Sequence, residues 1–331
     1  MRGLRTRGLA VVLLTAALAS LLLAVPGLRP VLEELSHAGG GWLSLALVLE
    51  VASCASFVVV FRHFFDGLPA RFARQLAWTE MGSGALLPGG GVGSLAVGGW
   101  LLHRVGMPTK QIVQRSSALF FLTSATSVAA LTAGGLLLAT GASLGPPEAL
   151  YAWLPVIAGT TVLAAAIGLP QLPRRRGQRV KASAWLGDLA AGVTQATRAL
   201  LHPRWRLLGA IGYLGFDIAV LWATLTAIGY SPPLAVLILA YVIGYLANVV
   251  PIPGGVGVLE AGLVGTLVLY GAPAVEATAG VVIYHAIAFW IPSLGGVLAY
   301  NLLRRHESAS LGTRRADLVL DGVTATPAMR A

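Results

Sequence analysis

The chain is built from apolar runs long enough to cross a bilayer, and nothing else in it constrains the fold as tightly. These runs fall at residues 9–25, 42–61, 112–140, 151–170, 207–229, 232–250, 254–270 and 275–303. About 20 predominantly apolar residues suffice for a helical span. Inside hydrocarbon every backbone N–H and C=O needs a partner within the protein, which makes the helix the element for such runs. Charged residues make up 11% of the sequence, against about 25% in a soluble domain, so a water-soluble fold is excluded. The expected fold class is all-α, a polytopic membrane helix bundle, with residues 1–305 as one transmembrane domain. Residues 306–331 hold little apolar content beyond Leu318 to Leu320 and are expected to form a disordered tail. The first run follows a basic start, as in a signal peptide, but Pro26 stands where a cleavage site would be expected, so a retained first helix is the expectation.

Charge placement orients the bundle. The net charge of +10 comes from basic residues between apolar runs, at Arg62 to Arg74, His103 to Arg115, Arg174 to Arg206 and Arg304-Arg305. Cytoplasmic loops carry such an excess of Arg and Lys, so these segments and both termini are expected on the cytoplasmic side of the cell membrane. The segments 26–41, 141–150, 229–233 and 271–276 carry almost no positive charge and are expected to face outward. A basic balance distributed in this way fits anionic lipid head groups, and no nucleic-acid partner is expected. The loop 171–206 is the most basic of all. Within it Ala184 to Leu201 reads as an amphipathic helix lying on the inner leaflet, or simply as part of a topology determinant.

One apolar stretch, 74–103, is broken in its middle by Leu87-Pro-Gly-Gly-Gly-Val-Gly93, which cannot hold a continuous helix. The run Gly90-Gly-Val-Gly-Ser-Leu-Ala96 is matched by Gly254-Gly-Val-Gly-Val-Leu-Glu260. Gly106-Met-Pro108 is matched by Gly271-Ala-Pro273, and the span around Glu50 falls opposite the span around Asp217. With the charge-based orientation, the halves at about 42–140 and 207–303 are expected to be inverted copies, each with a broken, re-entrant helix hairpin. Inverted repeats with interrupted helices in corresponding positions point to a transporter whose site lies at the repeat interface.

The candidate substrate-binding residues follow from this. Gly90, Gly91 and Gly93, and Pro253, Gly254, Gly255 and Gly257, stand at the two breaks, where half-helix N-termini can offer N–H groups to an anion. The alternative is close helix packing through small residues. Glu50, Glu80, Asp217, Glu260 and His285 are ionisable groups inside apolar segments, each costly there unless compensated. Without intramembrane Arg or Lys the four carboxylates are not expected to ionise together, and they can hold protons, a cation or hydrogen bonds to neighbouring helices. His285 reads as a proton relay or a hydrogen-bonded helix residue. Cys54, the single cysteine, excludes an intrachain disulfide and a cysteine metal site, and is expected to be lipid-facing or packed. No Walker lysine, H-E-x-x-H helix or Ser/His/Asp set is present, so neither a cofactor, a bound metal nor enzymatic activity is expected.

The segment Pro251-Ile-Pro-Gly-Gly-Val-Gly-Val-Leu-Glu260, with Gly271-Ala-Pro273 and Tyr284-His-Ala-Ile-Ala-Phe-Trp-Ile-Pro292, resembles the transmembrane region family of lysylphosphatidylglycerol synthase, the flippase-like or YbhN-type membrane proteins. The stretch from Leu87-Pro-Gly to Gly99-Trp-Leu-Leu-His-Arg104 looks like that family's upstream glycine motif, and the resemblance spans about residues 5–305. It implies two re-entrant elements in a domain that moves aminoacylated or glycosylated lipids between leaflets, with Pro253, Gly254, Gly255, Gly257 and Glu260 lining the pathway. Two departures stand out: many members have an Arg shortly after the first glycine motif, where this chain has Gly98, and an Arg opposite His285. A soluble aminoacyl-transferase domain is not expected in the 331 residues, so the chain is not read as a complete synthase. The leading expectation is a lipid-translocating membrane transporter acting on an aminoacyl-phospholipid, an anionic phospholipid or a polyprenyl-linked glycan. The alternatives are a proton- or ion-coupled transporter of a small solute, or a non-transporting subunit that recruits a lipid-modifying or glycan-assembly enzyme.

Overall fold

A computed structural model describes residues 33–35, 38–87, 91–141, 149–168, 184–201, 204–247 and 257–324. The described residues form helices and no strands. In chain order they are α1 (Gly40–Phe64), α2 (Ala70–Leu86), α3 (Gly91–Arg104), α4 (Thr109–Ala139), α5 (Ala149–Gly168), α6 (Ala184–Leu201), α7 (Leu208–Ala227), α8 (Leu234–Ala247), α9 (Val258–Leu269) and α10 (Ala274–Thr324). Among the described residues four helical segments are long and apolar enough to cross a membrane: Gly40–Phe64, Thr109–Ala139, Trp205–Ala227 and Ala274–Arg305.

The run at 254–270 was expected to be long enough to span, and here the structure differs. It folds as α9, of 12 residues, while the described part of the run at 232–250 is α8, Leu234–Ala247. At 1.5 Å per residue α9 measures about 18 Å, short of the roughly 30 Å hydrocarbon core. It starts at Gly257, whose φ is +87°. The broken stretch 74–103 divides as expected, into α2 and α3 of 17 and 14 residues on either side of Leu87. Helix α10 extends from Ala274 to Thr324. No proline interrupts the sequence between Pro292 and Pro327, and a helix already nucleated in the bundle extends at little cost. The first apolar run, 9–25, lies outside the described residues.

The helices α1 and α7 form the centre and run antiparallel. Gly39 N–H donates to the Ala227 carbonyl at 2.8 Å, the Trp42 and Trp222 rings meet edge-on at 5.1 Å, and the Ser53 hydroxyl donates to the Tyr213 carbonyl at 2.9 Å. At the other end a Cβ on Gly209 would lie 2.6 Å from the Ser56 carbonyl oxygen, so the two backbones nearly touch. Small residues at such crossings let helices approach where lipid provides no hydrophobic drive for association. This register brings Glu50 and Asp217 to the same level of the bundle.

The remaining helices pack around that pair. The short helices α2 and α3 pack together, as do α8 and α9; α2 lies against α10, and α8 against α4. Outside this core α5 and α6 both lean on α4. The amphipathic helix has the bounds read from sequence, Ala184–Leu201.

Candidate functional site

Asp217 is the centre of the polar interior. It lies mid-way along α7, 6% exposed, and accepts the hydroxyl of Tyr241 on one carboxylate oxygen and that of Tyr284 on the other, the latter at 3.1 Å. The Tyr284 hydroxyl also meets that of Tyr245 at 2.8 Å, and the Tyr241 and Tyr245 rings stack at 4.6 Å. Two turns of α8 and one residue of α10 thus supply a wall of phenols around one buried acid. Hydrogen bonds to a charged group are worth about 1.5–3 kcal/mol each, roughly twice a neutral pair.

Across the α1–α7 contact stands Glu50, 4% exposed. One of its oxygens, Oε1, lies 3.7 Å from the Cys54 thiol, a helical turn further on. The other, Oε2, is buried with no hydrogen-bond partner among the described residues. A buried acceptor without a partner is uncommon in native interiors and calls for an explanation. Cys54 is packed, the second of the two expectations for it.

Glu260 stands in the first turn of α9. Its Oε2 accepts the Gly257 backbone N–H at 2.6 Å, capping α9, the helix on which it sits. Its Oε1 lies 2.6 Å from Nδ1 of His285. Glu260 is therefore engaged with its own helix start and with α10. Gly257 has to stay glycine for that cap, because an L side chain at φ +87° costs about 1–2 kcal/mol. Gly257→Ala is expected to lower the apparent melting temperature in detergent by a few degrees, and Ala at Gly265, where a Cβ meets nothing within 4 Å, is expected not to.

One helix joins these groups. Tyr284 and His285 are neighbours on α10, one reaching Asp217 and the other Glu260. The same helix lies against α2 at Gly82, Pro292 and Gly296. Glu80, 6% exposed, stands on α2 near that contact, and its carboxylate lies against the backbone of Gly98 on α3, where a Cβ would run into it.

Of the sequence candidates, the structure links Glu50 with Asp217 and Glu260 with His285, and places Glu80 on a helix packed against α10. Gly91 and Gly93 open the first turn of α3. Gly90, Pro253, Gly254 and Gly255 lie outside the described residues. The tyrosines were missed. Among the described residues no group of three or more His, Cys, Asp and Glu side chains is arranged to hold a metal.

An all-helical bundle with several apolar helices and a buried acidic core defines a polytopic membrane protein. Residues 8–296 match the family described as the lysylphosphatidylglycerol synthase TM region, and the chain belongs to that family. It is also similar to a UPF0104 membrane protein of Methanothermobacter thermautotrophicus, 33% identical over 91 residues, covering 27% of this chain. The matched stretch spans about a quarter, 26%, of that relative's length.

Proposed function

We propose that the chain translocates a lipid between leaflets, passing the head group through the interior where α1, α7, α8 and α10 converge. The observation that carries this reading is the antiparallel register of α1 on α7, which sets the Glu50 and Asp217 levels face to face. In the proposed repeat α1 corresponds to α7, α2 to α8, α3 to α9 and α4 to α10. Two corresponding helices that cross antiparallel fit an inverted relation of the halves. The packing supports it as well: α2 on α10 has its counterpart in α8 on α4, α3 on α4 in α9 on α10, and α1 on α2 in α7 on α8. On this reading α2–α3 and α8–α9 are re-entrant hairpins, each too short in its second limb to span, and their glycine breaks meet the substrate. The family description, which names a lipid synthase's membrane region, fits a lipid substrate.

The test is a leaflet-sidedness assay in unilamellar vesicles containing the purified protein. With a head-group-labelled phospholipid quenched from outside, the protected fraction is expected to fall well below the half that protein-free vesicles retain. Glu260→Gln, which weakens the α9 cap and the contact with His285, is expected to slow this severalfold without abolishing expression. Unchanged protection in wild-type vesicles would sink the reading.

A second reading is favoured by one observation, the unpartnered Oε2 of Glu50 opposite Asp217. Such a pair is suited to exchanging a proton or cation, as in a coupled small-solute transporter. That reading predicts uptake that follows a pH gradient with no requirement for a particular lipid.

A further inference from the structure

A basic cavity lies away from the acidic core, where the C-terminal end of α1 meets the first turns of α4 and the last turn of α6. Its volume is about 380 Å³, and its polar lining comprises His63, Asp66, Arg115, Gln195, Arg198 and Arg204. Three guanidinium groups face one carboxylate. Arg115 is fixed by two contacts, donating to the Phe64 carbonyl at 3.1 Å and lying 3.6 Å from Asp66. Arg198 is exposed on the last turn of α6, and Arg204 is exposed just beyond that helix.

We infer that this cavity binds the phosphate of an anionic phospholipid head group drawn from the leaflet on the basic-loop side. Three features point to a lipid as the source of the phosphate. The cavity opens beside apolar side chains left exposed at the level of the basic loops: Trp205 is 68% exposed and Leu208 63%. Its third wall is the amphipathic helix α6, an element suited to lying in the plane of a membrane surface. Clusters of arginine between helices on that side are the arrangement that takes lipid head groups. Arginine also suits the ligand, since its fork pairs with phosphate through two parallel hydrogen bonds.

The cavity depends on how α6 is seated. A Cβ on Gly192 would lie 2.6 Å from the Ser117 Cβ and 2.7 Å from the Gln114 carbonyl oxygen, so the α6 backbone rests directly on α4. One turn later Ala196 is fully buried. This small-residue contact sets the distance between Arg198 on α6 and Arg115 on α4. The inference is independent of transport, because it concerns retention of a lipid.

The experiment uses the full chain in phosphatidylcholine nanodiscs containing a small fraction of spin-labelled phosphatidylglycerol, and reads the motionally restricted fraction against spin-labelled phosphatidylcholine. Wild type is expected to restrict phosphatidylglycerol severalfold more than phosphatidylcholine. The double variant Arg198→Gln/Arg204→Gln is expected to lose most of that preference, bringing the two lipids close to equal restriction. Arg71→Gln/Arg74→Gln, which removes the same charge from exposed positions on α2, is expected to keep it. Gly192→Leu changes no charge and is expected to lose the preference by unseating α6. An equal loss in the α2 double variant, or no loss in either cavity variant, would overturn the proposal. Loss of the wild-type preference on adding excess inorganic phosphate, with phosphatidylcholine unaffected, would assign the cavity to a soluble phosphate and overturn the lipid source.

Discussion

Asp217→Asn is expected to leave a folded protein that moves lipid at least about tenfold more slowly, and Asp217→Leu is expected to destabilise the bundle outright. The two outcomes separate because of what surrounds the carboxylate. Asp217 accepts two phenolic hydroxyls, those of Tyr241 and Tyr284, in a fully enclosed site. Asparagine keeps one carbonyl acceptor and the shape, but it forfeits charge-assisted bonding worth about 1.5–3 kcal/mol, a tenfold to hundredfold change in any equilibrium or rate that uses it. Leucine leaves both hydroxyls without an acceptor in a medium that offers no water, at about 1–3 kcal/mol for each. Thermal unfolding in detergent and the leaflet-sidedness assay, run on the same preparations, check the split. If both variants lost stability equally, the phenol wall would be packing alone.

The second large effect belongs to the α2–α10 crossing. A Cβ on Gly82 would lie 2.6 Å from the Pro292 carbonyl oxygen and 2.7 Å from the Gly296 Cα, with backbone on both sides and nothing that can rotate away. Gly296→Leu therefore has to separate the helices, and forcing bulk into a packed interior costs about 1–3 kcal/mol or more. The expected result is a drop in apparent melting temperature with loss of monodisperse protein. Gly215→Leu on α7, where a Cβ meets nothing within 4 Å, is expected to leave the melt unchanged. Because α10 also carries Tyr284 and His285, a partly folded Gly296→Ala is also expected to slow transport.

Much of this organisation was legible in the residues. Apolar run length gave the four long helices, the cluster from Pro88 to Gly93 gave the division of α2 from α3, and the limits of the amphipathic helix were visible in its spacing. The buried acids were recognisable because a carboxylate in an apolar run needs a reason. Their partners were not. Tyr241 and Tyr245 sit i and i+4 in an apolar helix, where tyrosine also serves as an ordinary packing or interfacial residue. The bond of Tyr241 to Asp217, 24 residues away, and the contact of Tyr245 with Tyr284 are set by how α8 and α10 close on α7. The role of Glu260 had a local signal, a residue three positions beyond a helix-starting glycine, as in a capping box.

The inverted arrangement of the halves is the central claim, and cysteine accessibility tests it most directly. Cys54 is buried, so a Cys54→Ser background lets single cysteines report their side. Gly67 and Lys110 are exposed at the ends of the first broken unit; Ser231 and Ala274 are exposed at the corresponding positions of the second, in each case 164 residues later. In sealed vesicles of known orientation, Gly67→Cys and Lys110→Cys are expected to react with an impermeant maleimide only from the side of the basic loops. Ser231→Cys and Ala274→Cys are expected to react only from the opposite side. Labelling of all four from one side would contradict the inversion and, with it, a site formed between inverted halves.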